Sequence, residues 1–125
     1  MRAVLDAGAL IALDGKDRAM AVRLRLFQQL GTPVYTSAGA VAQARRSRSR
    51  QANLARRLPG LDVAPIDQVV AKTVGELLGA TKTSDPVDAH VALLAEQGSK
   101  VFTSDDADIR ALLRARRVKA AVIHV

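Results

Sequence analysis

The residues Thr83-Ser84-Asp85-Pro86-Val87-Asp88-Ala89-His90 carry a pattern, Thr-Ser-Asp-x-x-Asp, that returns as Thr103-Ser104-Asp105-Asp106-Ala107-Asp108. In each copy a Thr-Ser pair leads into an Asp suited to cap a helix, and a second Asp follows at the third helical position. A further acid, Asp6, closes the short apolar run Ala3-Val4-Leu5. Carboxylates gathered without matching cations repel one another unless they are protonated or share a divalent cation, and oxygen ligands of this kind suit Mg²⁺ or Mn²⁺. Taken singly, each acid has a simpler reading as a helix cap. Asp is a favoured N-cap, first-turn acids are stabilised by the helix macrodipole, and Pro86 is the expected first helical residue. Capping explains the set less well, because Ser and Thr already stand beside Asp85 and Asp105, and Asp88 and Asp108 are not cap positions. Asp106 lies outside the repeated pattern and reads as a solvated charge.

The elements that must position these acids alternate between strand and helix. Ala3-Val4-Leu5 is a buried strand that turns at Asp6 into an apolar helix through Leu13. A second helix is expected from Asp17 to Leu30, stopped by Gly31-Thr32-Pro33, then a strand at Val34-Tyr35-Thr36. Ser37 caps a third helix running through Gln43, and the polar segment Arg45 to Gln51 leads into a helix ending near Leu58. A third strand is read at residues 61–66, a helix from Asp67, and a helix after Asp85 that is apolar nearly all round and therefore central. Lys100-Val101-Phe102-Thr103 is the fourth strand, Asp105 to Arg116 the last helix and residues 121–125 the last strand. Such alternation implies a mostly parallel sheet covered on both faces. Ligands of open parallel sheets bind beyond the carboxyl ends of the strands, where Asp6 and Asp105 fall.

A chain of 125 residues fits one domain, spanning residues 1–125. No apolar run approaches the roughly 18 residues of a membrane span, and Met1 to Asp6 lack a signal-peptide layout, so the expected location is the cytoplasm, with no membrane partner. The absence of cysteine excludes disulfides, thiolate metal sites and a cysteine nucleophile. No Gly-x-Ser-x-Gly turn or phosphate-cradling glycine loop occurs either. Nineteen Lys and Arg against twelve Asp and Glu give a net charge of +7, which attracts polyanions, with nucleic acid the first candidate. With no Trp, one Tyr and two Phe, binding would rest on phosphate rather than on stacked bases. A charge run is by default a solvated face. Here Arg45, Arg46, Arg48, Arg50, Arg56 and Arg57 begin two positions after Gln43 and would border the acids, with Arg114, Arg116, Arg117 and Lys119 extending that rim. His90, two residues after Asp88, leaves the helical face of that acid and reads as a packing or rim residue; His124 reads as structural.

Three stretches, Val4-Leu5-Asp6-Ala7-Gly8-Ala9-Leu10, Val87-Asp88-Ala89-His90-Val91-Ala92 and Val101-Phe102-Thr103-Ser104-Asp105, in this order and spacing, resemble the PIN-domain ribonucleases, and among them the toxin component of the VapBC toxin–antitoxin systems. The resemblance implies a three-layer α/β/α fold with a five-stranded parallel sheet. It implies that Asp6, Asp88 and Asp105 bind Mg²⁺ or Mn²⁺, with Asp108 a fourth ligand or a supporting acid and Asp85 a further contributor. It also implies a cognate antitoxin partner and a homodimer. The expected reaction is hydrolysis of RNA phosphodiester bonds, in line and without a covalent enzyme intermediate, by cations that activate water and neutralise phosphate charge. Arg45, Arg46, Arg48 and Arg50 are the expected RNA contacts. One position departs from the family: Gln43 stands where it usually has a glutamate, and an amide brings no charge to hold a cation. This leaves a competing expectation, a catalytically weak PIN-like protein that binds RNA or an antitoxin. A phospho-acceptor receiver domain, also an α/β sheet with acids at strand ends, is disfavoured by the net charge and by the lack of a matching lysine.

Overall fold

Strands this short and this apolar are satisfied only inside a sheet buried on both faces. The computed structural model describes residues 1–15, 18–45 and 51–125. Its strands are β1 (Ala3–Leu5), β2 (Val34–Ser37), β3 (Asp62–Ala64), β4 (Lys100–Thr103) and β5 (Ala121–His124). Its helices are α1 (Ala7–Asp14), α2 (Arg18–Gln29), α3 (Ala38–Ala44), α4 (Ala52–Arg57), α5 (Gln68–Thr81), α6 (Pro86–Leu94) and α7 (Asp106–Ala115), with a 3₁₀ turn at Leu58–Gly60. All four strand pairings are parallel and the order is β3-β2-β1-β4-β5.

The central strand β1 divides the core. Ala3 and Leu5 face a cluster built with Leu10, Leu13, Met20, Leu24 and Phe27 from α1 and α2, joined by Ala40 and Leu54. Val4 faces the other way, into Val74, Leu77, Ala89, Ala92, Ile109 and Leu112 from α5, α6 and α7. Helices α1 to α4 therefore cover one face and α5 to α7 the other, which is the expected three-layer α/β/α arrangement. Among the described residues no helix is long and apolar enough to cross a membrane. The chain passes from β1 to β2 on one side and from β4 to β5 on the other, so a crevice opens beyond the carboxyl ends of β1 and β4.

Boundaries differ from expectation where local chemistry intervenes. The third strand shortens to Asp62–Ala64, since Pro65 has no N–H for the ladder. The start expected for α2 at Asp17, and residues 46–50 of the polar segment, lie outside the described residues. The largest correction concerns the basic rim. Lys119 O accepts the Gly98 N–H at 2.8 Å, just ahead of β4, so this basic group lies at the amino ends of the strands, away from the acids. Arg116 is no rim residue at all: its Nη1 donates to Ala92 O (2.5 Å) and Ala95 O (2.8 Å), capping the C-terminal carbonyls of α6.

Helix α6 is also tied at its side. His90 is buried, and its Nδ1 lies 2.6 Å from Ser37 Oγ, which itself accepts the Gly39 N–H. Burial pushes His90 below its ordinary value, which favours the neutral ring, and the bond between Nδ1 and the Ser37 hydroxyl locks α6 to the end of β2. At the crevice itself the Ser104 side chain crowds the Gly8 backbone. A Cβ on Gly8 would lie 2.3 Å from Ser104 Oγ and 2.7 Å from Ser104 Cβ. Gly8→Ala gains at most about 1 kcal/mol of helix propensity, whereas overpacking costs about 1–3 kcal/mol. Net destabilisation is expected in urea titration, with recovery when Ser104→Gly is added.

Candidate metal centre

Asp6 leaves β1 directly into α1 and is 3% exposed. Its Oδ1 accepts the Ala9 N–H at 2.9 Å, capping α1, while Oδ2 accepts the Thr103 hydroxyl at 2.5 Å and the Ser104 N–H at 3.1 Å. Thr103 Oγ1 in turn accepts the Asp105 N–H at 2.8 Å. One chain of bonds therefore runs from Asp105 through Thr103 to Asp6, tying the ends of β4 and β1 together. It also separates the two Thr-Ser-Asp copies. Asp85 caps α6, its Oδ1 accepting from Val87 N–H (2.8 Å) and Asp88 N–H (3.4 Å). Asp105 occupies the N-cap position of α7 but makes no side-chain cap bond. The Thr103 hydroxyl holds its N–H, so its exposed carboxylate is not used in capping α7.

One carboxylate oxygen from each of Asp85, Asp88 and Asp105 lies within 4.8 Å of the others, a spacing open to a single metal ion. Asp88 is the buried member at 6% exposure, and its Oδ2 has no hydrogen-bond partner among the described residues. Burial first, then a hydrogen bond with Asp105 and the like charges of Asp85, Asp105 and Asp6, push the Asp88 carboxyl up to about 8. An orphaned buried oxygen beside two more carboxylates fits a hard divalent cation, whose charge would relieve the crowding and satisfy that oxygen.

The other expected site residues are placed as follows. Asp6 lies close enough for its charge to act on Asp88, but both of its oxygens are engaged and it is not one of the three. Asp108 is half-buried in the first turn of α7, also outside the trio. Gln43 is exposed near the end of α3, and Arg45 directly follows that helix. Arg46, Arg48 and Arg50 lie outside the described residues. Asp106 is not simply solvated, because its Oδ1 meets His124 Nδ1 at 2.9 Å. The sequence reading missed Thr103, Ser104 and Gly8 as parts of the site's frame. The signal for Thr103 was present in the repeated Thr-Ser-Asp, where only one of two neighbouring cap candidates can be needed.

Two outcomes follow for the metal-free protein. Thr103→Val removes a hydroxyl that donates to one acid and accepts from the backbone of another, so a loss of about 1–3 kcal/mol is expected in urea unfolding. The second concerns pH. The folded chain holds a proton on Asp88 up to about 8, whereas an unfolded carboxyl releases it near 3.8. Between those values the native state binds more protons, so the contribution of Asp88 to stability falls as pH rises through that window. The wild-type protein should lose stability relative to Asp88→Asn between about pH 4 and pH 8. Paired urea titrations across that range measure the difference, and parallel curves would contradict the raised value.

No curated protein sequence matches the chain. Comparison with protein-family models does find a match, to the family described as PIN domain, over residues 3–114. The matched segment takes in β1, the repeated acidic turns and most of α7, and with them Asp85, Asp88 and Asp105 and the Asp6–Thr103–Ser104 joint. This chain belongs to the PIN-domain family, a nuclease-type fold whose members are generally metal-dependent.

Proposed function

We propose that the chain is a metal-dependent endoribonuclease that hydrolyses RNA phosphodiester bonds and serves as the toxin of a VapBC-type toxin–antitoxin pair in the cytoplasm, as a single-domain protein. The observation that carries the reading is the buried, unpartnered Asp88 Oδ2 beside Asp85 and Asp105 at the crevice of a PIN-domain sheet. Asp85, Asp88 and Asp105 would hold Mg²⁺ or Mn²⁺, with Asp108 supporting from the next turn. Asp6 fixes the segment that carries Asp105 and adds negative charge. A divalent cation there supplies a lowered pKa for water and neutralisation of phosphate charge. The chain's own residues do the rest. Asp88 is buried and sets the depth of the site, while exposed Asp105 is where the scissile phosphate can approach. The net charge of +7 and the arginines from Arg45 to Arg57 favour RNA held by its phosphates. The cognate antitoxin and the homodimer rest on the resemblance to VapBC toxins.

Cleavage of RNA in the presence of Mg²⁺ or Mn²⁺ tests the reading. Asp88→Asn and Asp105→Asn should each reduce cleavage at least ~100-fold and weaken Mn²⁺ binding by calorimetry, without unfolding the protein. Asp85→Asn keeps a residue able to cap α6 but removes a charge, so it should lower metal affinity while leaving urea stability nearly unchanged. Cleavage that survives both Asp88→Asn and Asp105→Asn would sink the assignment. The exposed amide at Gln43 supports the second reading, a weak enzyme that binds RNA or an antitoxin. That reading expects near-zero cleavage in the parent and a gain in Gln43→Glu.

A further inference from the structure

The basic residues near the C-terminus are removed from the carboxylates, and their setting is a groove. Where α7 ends and β5 begins, a cavity of about 530 Å³ has Leu113, Val118 and Val122 as its floor and Arg110, Arg114 and Lys119 at its rim. The three cations are exposed, and none makes an ion pair with a described carboxylate.

The groove runs along an open sheet edge. β5 is the last strand of the order, with only β4 beside it among the described residues. Ala121 and Val125 send their N–H groups inward, to Ser99 O (2.9 Å) and Thr103 O (3.0 Å). In a parallel pair alternate residues face opposite ways, so Val122 and His124 direct their backbone groups outward. The one described hydrogen bond to those outward backbone groups is Arg110 Nη2 to Val122 O at 3.5 Å, long enough to be displaced readily, while the His124 side chain meets Asp106.

The walls are set in advance. α7 closes with the left-handed residue Arg117 (φ 56°), Arg117 N–H bonding Arg114 O and Val118 N–H bonding Leu113 O, a Schellman close that packs Val118 against the helix end. The Gln97 amide then holds the turn from outside, donating to Arg117 O at 2.9 Å and accepting Lys119 N–H at 2.8 Å. A binding edge fixed before the partner arrives needs less ordering on association.

We propose that this edge of β5 receives an extended acidic peptide segment of a partner protein, added as a sixth strand, with its acids at Arg110, Arg114 and Lys119 and an apolar side chain over Leu113, Val118 and Val122. Strand addition takes affinity from main-chain bonds and specificity from the alternate side chains, and the unpaired cations select for acids. A second copy of this chain is the wrong occupant, because edge-to-edge pairing would bring the same cations together. RNA is a poorer one, because no aromatic side chain lines the groove to stack a base and its floor is apolar. The inference does not rest on the nuclease reading, since the groove lies at the other end of the sheet.

The probe is a fluorescein-labelled, end-blocked peptide Glu-Thr-Val-Thr-Glu-Thr, about six residues long, whose Glu and Val side chains share one face, with a Val/Lys counterpart in which Lys replaces Glu as control. Fluorescence anisotropy should show saturable binding of the acidic peptide that weakens with salt. The Arg110→Ser/Arg114→Ser variant should lower its affinity about tenfold or more while leaving Mn²⁺ binding at the carboxylates unchanged. Should that variant not fold, Lys119→Ser carries the same expectation. Hydrogen exchange should show the Val122 and His124 amides gaining protection with the peptide bound. Overturning results are no saturable binding, equal affinity for the Val/Lys peptide, unchanged affinity in the variants, no protection at Val122, displacement by oligouridylate, or self-association through β5.

Discussion

A buried carboxylate with three donors holds the crevice end of this sheet together. Asp6 cannot sit at 3% exposure unless its oxygens are met, and they are met from both sides. Ala9 N–H comes from its own helix, whereas the Thr103 hydroxyl and the Ser104 N–H come from about a hundred residues further along the chain. Hydrogen bonds to a charged acceptor are shorter and stronger than neutral ones, so this joint fixes the loop after β4 against the start of α1. Gly8 allows the approach by leaving out a Cβ where Ser104 passes. The position of Asp105 is then a consequence, since its N–H ends on the same Thr103 oxygen.

Against that fixed loop the fold presents α6, and here it works against electrostatics. Asp85 and Asp88 share one helix N-terminus, whose macrodipole offsets part of their charge. It does not offset all of it: burial first, and then Asp105, Asp85 and Asp6, push the Asp88 carboxyl up. The repulsion is contained because α6 cannot retreat. Arg116 holds its far end, the His90–Ser37 bond holds its side, and Ala89, Val91 and Ala92 are buried without exposure. Charge crowding kept in place by packing is the pattern expected where a site must accept a cation, and it is otherwise a poor use of stability.

The layer architecture was readable because runs such as Ala3-Val4-Leu5 and Val101-Phe102-Thr103 are too short and too apolar for anything but buried parallel strands. Asp88 and Asp105 were readable as candidate site residues for a related reason, as acids where a cap alone would not require them. What could not be read was the division of labour inside the repeated Thr-Ser-Asp. A threonine hydroxyl can donate and accept at once, and Thr103 does both only because Asp6 lies across from it. No local rule in residues 103–108 contains that fact. The basic residues from Arg114 to Lys119 failed for the same reason in reverse: their number suggested a rim, but the turn of α7 into β5 carries them to the far end of the sheet.

Gln43 sharpens how the charge of the site is distributed. An acid on α3 would depend for its position on how α3 packs against α6. The three carboxylates of this chain depend on less. Asp85 satisfies the two N–H groups at the start of α6 with Oδ1 alone, and a carboxylate has a second oxygen that the cap does not need. Asp85 and Asp88 are then positioned by a single helix start, three residues apart, and Asp105 by the bonded chain to Asp6. The geometry of the group is set by one capped helix and one hydrogen-bonded strand joint. An uncharged, exposed residue at 43 removes a charge without loosening either of them.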